Sequence, residues 1–430
     1  MRFAPPPTRV AATGRLAVPI DIEAITATLT FDAATQSVTG DATVDFRHGV
    51  EDGDPIFDLR QPIVAAWLDG SPLRPGAVGL QRFGVKREHA LRVLTKKLRA
   101  GERHRLRLIY TLTCPPLLAS DKGGYQPELR WSGGGAVDFN FGFTDLGGGR
   151  YLEAWVPANL IYDRFALELD VRIRNSATPH VVITNGKTVE VGRNHWRIRF
   201  PDTFTALSPM LQLHPRDAVE FASRSGPWRL DVWKFAASPI DLEAQLANIE
   251  NWMERNQRNI GAYHHGDRFV AFLHKGGMEY DGACTAAPEA LEHEVFHSWW
   301  ARGLKPARQN DGWIDEAWTV YHDDGAKTET PFNFREPPVR LCSGTPWNRA
   351  TPMASYRLGS RLFAGIAARI GVERLHAIMR EFYQLHAPGL ITTHQLEAHI
   401  IDRTNDETIA RAFQRWVFGR QEHTRRDSHS

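Results

Sequence analysis

His293, Glu294 and His297 form an H-E-x-x-H run, and Glu316 follows His297 with eighteen residues between. On a helix, residues i and i+4 lie one above the other on one face, so the two imidazoles point the same way. A single zinc ion can take both nitrogens, and the intervening Glu294 then stands beside the metal as a general base. A third ligand has to come from elsewhere in the chain, and Glu316 is the leading candidate. Two His and one Glu leave the fourth tetrahedral position to water, which is the arrangement of a catalytic zinc and not a structural one. One zinc per chain is therefore expected. Such a centre supports hydrolysis, because zinc brings the pKa of its water to about 7 and polarises a carbonyl. Glu294 would carry the water's proton to the leaving group, and a further donor is needed for the oxyanion.

The elements that must position these residues fall into two regimes. In the first half, Ile25, Ala27, Leu29 and Phe31 alternate with mostly polar neighbours, as do Ala42, Val44 and Phe46. Leu106, Leu108 and Tyr110 repeat the period of two, and Phe165, Leu167, Leu169, Val171 and Ile173 extend it furthest. Trp196, Ile198 and Phe200 add another such run, and Gly- and Pro-rich punctuation such as Asp52-Gly53-Asp54-Pro55 reads as turns. Short alternating strands without helices between them predict an all-β, sandwich-like N-terminal domain over residues 1–216. Residues 217–430 then change period. A strand is expected at Trp228–Phe235, and Ser238-Pro239 reads as the N-cap and first position of a helix running to about Arg258. A strand at Arg268–Leu273 follows, then the metal helix from about Pro288 and a second helix around Trp313–His322. Leu362, Ile366, Ile370, Leu375, Ile378, Met379 and Phe382 carry helical spacing from Tyr356 onward. Residues 325–350 read as a long loop, and the polar residues from about 421 as a frayed tail.

Composition narrows the setting. The apolar fraction of 42 % is that of a globular protein, and a formal net charge of +2 gives no argument for a nucleic-acid or anionic-membrane partner. No run of eighteen apolar residues occurs, and the N-terminus lacks the apolar core of a signal peptide. Cys114, Cys284 and Cys342 are odd in number and widely spaced, which fits a reducing compartment and predicts a cytoplasmic protein. His264 and His265, in a turn-like Tyr-His-His-Gly-Asp, read as residues without a chemical role. Assembly into a homo-oligomer is left open by the sequence.

The run from His293 to Tyr321, HEVFHSWWARGLKPARQNDGWIDEAWTVY, resembles the gluzincin metallopeptidases of the aminopeptidase N and leukotriene hydrolase family. The resemblance implies His293, His297 and Glu316 as zinc ligands and a thermolysin-like metallopeptidase domain behind the β domain. Gly276-Gly277-Met278-Glu279 is similar to the family's exopeptidase motif, which implies that this strand binds substrate and that Glu279 holds its free α-amine. Tyr356-Arg357-Leu358-Gly359 is similar to the segment carrying the family's catalytic tyrosine, which implies oxyanion stabilisation by Tyr356. Asp145 falls near a family position that helps to hold the amine.

The resemblance covers most of the chain and implies a short form lacking the family's C-terminal helical domain. Tyr280 stands where the family more often has Asn, and Trp300-Ala301-Arg302 replaces a typical Gly-Asn after the zinc helix. The expected activity is removal of the N-terminal residue from peptides with a free N-terminus. An endopeptidase, an epoxide hydrolase or a dedicated tailoring peptidase on the same scaffold is the alternative. A non-catalytic binding module is the remaining one.

Overall fold

The computed structural model describes residues 4–83, 90–117, 126–159, 164–325, 330–342, 344–348 and 350–420. The expected tail from 421 lies outside the described residues, as do 326–329, 343 and 349 of the expected 325–350 loop. The chain divides into two compact units, Met1–Arg255 with His265–Ser298, and Asn256–His264 with Trp299–Ser430.

The first unit is built on sheets. The alternating runs form an eight-stranded sheet whose central members are Ala166–Arg174, Asp21–Asp32, Ser37–Arg47 and Arg103–Leu112. Period-two side chains put Ile25, Leu29, Phe31, Val44, Leu108 and Val171 on one face, where they are buried. The opposite face carries cross-strand ion pairs such as Arg105–Asp45 and Arg107–Asp41. A five-stranded and a four-stranded sheet complete the β part. Asp54-Pro55, expected in a turn, instead opens the strand Asp54–Phe57. Pro55 can sit in a strand because an X-Pro pair favours extended backbone.

A fourth sheet carries the functional motifs. Its order is Val219–Ser225, Arg229–Phe235, Arg268–Leu273, Ala283–Ala286 and Gly277–Tyr280, with the two middle pairings parallel. Helix α1 (Leu242–Asn259) makes the crossover that the first parallel pair requires. It starts later than the sequence predicts. Asp241 is its cap, accepting from the amides of Glu243 and Ala244 at 3.0 and 3.1 Å. Ser238 lies in the turn before the helix, where its hydroxyl accepts from the Ile240 amide at 3.5 Å and its carbonyl from the Lys234 ammonium at 2.7 Å. Helix α2 (Leu291–Phe296) follows the last inner strand and carries the H-E-x-x-H run.

The second unit is helical. It holds α3 (Trp313–Val320), α4 (Arg357–Ile370), α5 (Val372–His386), α6 (Thr393–Thr404) and α7 (Glu407–Trp416), with a two-stranded parallel pair, Leu304–Pro306 and Gly389–Ile391. Helix α6 begins with a full capping box, Thr392 and Gln395 bonding reciprocally. Helix α3 is buried over nearly its whole circumference. Its start is fixed by Trp313, whose indole donates to Thr393 Oγ1 at 3.0 Å, while Thr393 donates to Asp311. Gly359 of α4 lets the two helices approach closely, since a Cβ there would meet the Ala317 Cβ at 2.5 Å. That contact sets Tyr356, just before α4, against Glu316 on α3.

Candidate metal centre

Helix α2 is only six residues long, and His297 is its C-terminal cap. His297 is fully buried and His293 partly so. The one-turn spacing brings their Nε2 atoms to 3.0 Å, with the rings inclined at 81°. Two nitrogens at 2.0–2.1 Å from a tetrahedral zinc are separated by about 3.3 Å. The pair therefore matches two corners of a zinc coordination sphere, and the neutral imidazole and carboxylate donors are the types that zinc takes.

Glu294 leaves α2 beside these rings and is buried. The exopeptidase-like segment lies on the edge strand Gly277–Tyr280, entered through Gly276 at φ +63°. Pleat alternation sends Met278 and Tyr280 into the hydrophobic core of the first unit and Glu279 to the other face. There Glu279 pairs across the ladder with Cys284. Ligand atoms of Glu279, Glu294 and His297 all lie within 4.8 Å of one another, and all three residues are buried. Burial, reinforced by Glu294 and Glu279, pushes the Cys284 thiol well above its usual range, so it stays a neutral wall to the site.

Gly277 shows why this position has no side chain. A Cβ built there overlaps Glu294 Oε1 and lies 2.8 Å from its Cδ. Gly277→Ala is expected to turn the Glu294 carboxylate away and to lower kcat at least about tenfold, a displacement of this candidate base by roughly an ångström being sufficient. Zinc content should stay at the wild-type level. Activity within twofold of wild type would show that the carboxylate accommodates a methyl group.

In the second unit, Glu316 sits buried in the first turn of α3. Tyr356 donates its hydroxyl to Glu316 Oε1 at 2.8 Å, joining residues forty positions apart. Past the metal helix, Trp299–Leu304 folds into a turn closed by Leu304 N to Trp299 O at 2.9 Å and Ala301 N to Leu304 O at 3.1 Å. Ala301 takes φ +101° there, a region that costs a residue with a Cβ about 1–3 kcal/mol. Ala301→Gly is expected to raise stability by about 1 kcal/mol, after part of the gain is offset by unfolded-state entropy. A thermal melt at or below the wild-type midpoint would contradict that.

Asp145 is buried in a turn after Phe143, and Phe143 packs on Tyr280 at a ring distance of 5.6 Å. His265, which the sequence marks only as a turn residue, is where the structure adds most. Its Nε2 lies 2.8 Å from the Ser298 carbonyl and its Nδ1 is 3.9 Å from Asp281 Oδ2. No local pattern in the sequence marks this histidine, because its contacts are with residues far along the chain. Its neighbour His264 has a different setting, packing near Tyr383 at 6.0 Å between rings.

No family model matches the chain, and no curated protein matches it either. Solved structures do. An M1 zinc metallopeptidase from Deinococcus radiodurans superposes with a TM-score of 0.65 at 17 % identity, covering 94 % of this chain and 95 % of that one. A two-domain M1 zinc metallopeptidase variant bound to L-arginine gives 0.64 at 17 % identity with the same coverage. Yeast LTA4 hydrolase in complex with bestatin gives 0.65 at 15 % identity, over 93 % of this chain and 68 % of that one. The chain thus has the α+β fold of the two-domain M1 zinc metallopeptidases, as the sequence predicts.

Proposed function

We propose that this protein is a zinc-dependent aminopeptidase, hydrolysing the N-terminal residue from peptides with a free N-terminus. The observation that carries this reading is the convergence of Glu279, Glu294 and His297 at the edge strand Gly277–Tyr280. The edge of a sheet is where an extended peptide can be added as a further strand. A buried carboxylate at its end, next to a general base and a metal ligand, suits a substrate whose chain begins there.

In this reading His293, His297 and Glu316 hold one zinc ion, two imidazoles and a carboxylate being donor types that zinc takes. When bound, zinc supplies an acidified water and a polarised carbonyl. Glu279 pairs with the substrate α-ammonium, and Asp145 assists it. Gly276, Gly277 and Met278 line the path along which the first residue lies. Glu294 takes the proton of the attacking water and delivers it to the departing amine. Tyr356 turns its hydroxyl from Glu316 towards the developing oxyanion. In this reading the β domain spans about 1–216 and the catalytic domain 217–430. A cytoplasmic setting accords with the free state of Cys114, Cys284 and Cys342. Among the described residues no helix is long and apolar enough to cross a membrane.

The likeness to yeast LTA4 hydrolase favours a second reading, hydrolysis of a different small molecule at the same centre. A panel of aminoacyl anilides, tested before and after zinc removal, separates the two. Turnover of at least one anilide is expected, lost on chelation and restored by one equivalent of zinc per chain. Zinc-loaded protein that cleaves none of the panel, or zinc-free protein that keeps its full rate, would overturn the aminopeptidase reading.

A further inference from the structure

The metal helix is too short to hold its own geometry. Six residues make fewer than two turns, and isolated helices of that length are unstable in water. The last carbonyls of such a helix also have no partner within it. Something outside α2 must fix its end, where His297 sits.

His265 occupies that place. The Ser298 carbonyl can only accept, so His265 Nε2 carries the proton and donates to it at 2.8 Å. On the other side of the ring, Nδ1 is 3.9 Å from Asp281 Oδ2, beyond hydrogen-bond distance, so the ring packs against the Asp281 turn; both side chains are almost wholly buried, at 6 % and 1 % exposed. Asp281 itself is anchored. Its amide donates to the Ser208 carbonyl at 3.2 Å, and its carbonyl accepts from Asn185 Nδ2 at 2.8 Å. The Asp281-Gly282 turn, with Gly282 at φ +64°, directly follows the strand that presents Glu279. One imidazole therefore sits between the residue after a zinc ligand and the turn after the amine anchor.

We propose that His265 is a positioning residue for the metal centre, fixing the His297 end of α2 against the Asp281 turn. Its effect reaches the zinc through the Ser298 backbone and not through contact with substrate. The inference rests on the reading of His293 and His297 as zinc ligands and deepens it. It assigns a function to a histidine that lies twenty-eight positions before the first metal histidine.

Substitution of the ring separates hydrogen bonding from packing. His265→Leu keeps much of the volume and removes both nitrogens. His265→Gln can place an amide N–H near the Nε2 position. His265→Asn is too short to reach Ser298. Zinc affinity is read by competition with a chromophoric chelator, and kcat and KM on a free-amine aminoacyl anilide, with a thermal melt for each full-length variant. His265→Leu and His265→Asn should lose zinc affinity by about 10–100-fold and lower kcat more than they raise KM. His265→Gln should return both to within about threefold of wild type.

Wild-type zinc affinity in the Leu variant, or in the Asn variant if the Leu protein does not fold, would overturn the proposal. So would a Gln variant that falls as far as the other two, since only packing would then matter. If wild-type protein turns over no free-amine substrate, the aminopeptidase reading fails, yet the zinc-affinity comparison still decides the role of His265.

Discussion

Glu294→Gln is expected to lower kcat by roughly 10²–10⁴-fold while zinc stays bound, the usual range for removing a positioned general base. Gln fills the same space and keeps a hydrogen-bonding oxygen, but it cannot accept and return a proton. Nothing in the metal set is lost, because the substitution leaves both imidazoles in place with their Nε2 atoms 3.0 Å apart. The comparison to make is single-turnover rate against zinc content in the same preparation. Loss of both together would mean that Glu294 maintains the metal site instead of moving a proton. Retention of most activity would remove Glu294 from the mechanism. The buried position of this carboxylate makes the first outcome distinct from a surface effect.

Glu279→Ala is expected to be the next largest loss. A buried carboxylate paired with a substrate ammonium is a charge-assisted contact, and deleting one partner of such a pair typically costs about 2–5 kcal/mol. That corresponds to roughly 30- to 4,000-fold in kcat/KM. The loss should fall on substrates with a free α-amine and be carried largely by KM where chemistry is slow. Glu279→Gln should lie between wild type and the Ala variant, since it keeps a hydrogen bond but not the charge. Both variants should retain zinc, as Glu279 lies on the edge strand Gly277–Tyr280 and is not among the three residues read as zinc ligands. Equal kcat/KM in wild type and the Ala variant would remove the amine anchor from the account.

Much of this centre is legible in the sequence because its information is local. The imidazoles of His293 and His297 need only the helical period to meet, and Ile25 to Phe31 need only the pleat to find a common buried face. The start of α1 was not legible, because Ser238-Pro239 is a good cap in isolation. The structure keeps Ser238 in the turn before the helix and lets Asp241 cap instead. Tertiary competition of that kind leaves no mark in a window of a few residues.

Two features of the site were invisible for the same reason. Gly277 reads as one glycine of a motif, and only the packed Glu294 shows that a methyl group would collide with its carboxylate. His265 reads as turn filler, and only the fold brings it to Ser298 and Asp281. Ala301 is the converse case. The sequence shows a plain alanine between Trp300 and Arg302, and the structure shows the positive φ that makes glycine the easier residue there.

The central claim is that a free amine is read by Glu279 next to zinc-assisted hydrolysis at Glu294. Its most direct test is the turnover of one aminoacyl anilide, with free or acetylated α-amine, by zinc-loaded wild-type protein. The account predicts cleavage of the free compound and none of the acetylated one above the rate of the Glu294→Gln variant. Equal cleavage of the two would contradict it.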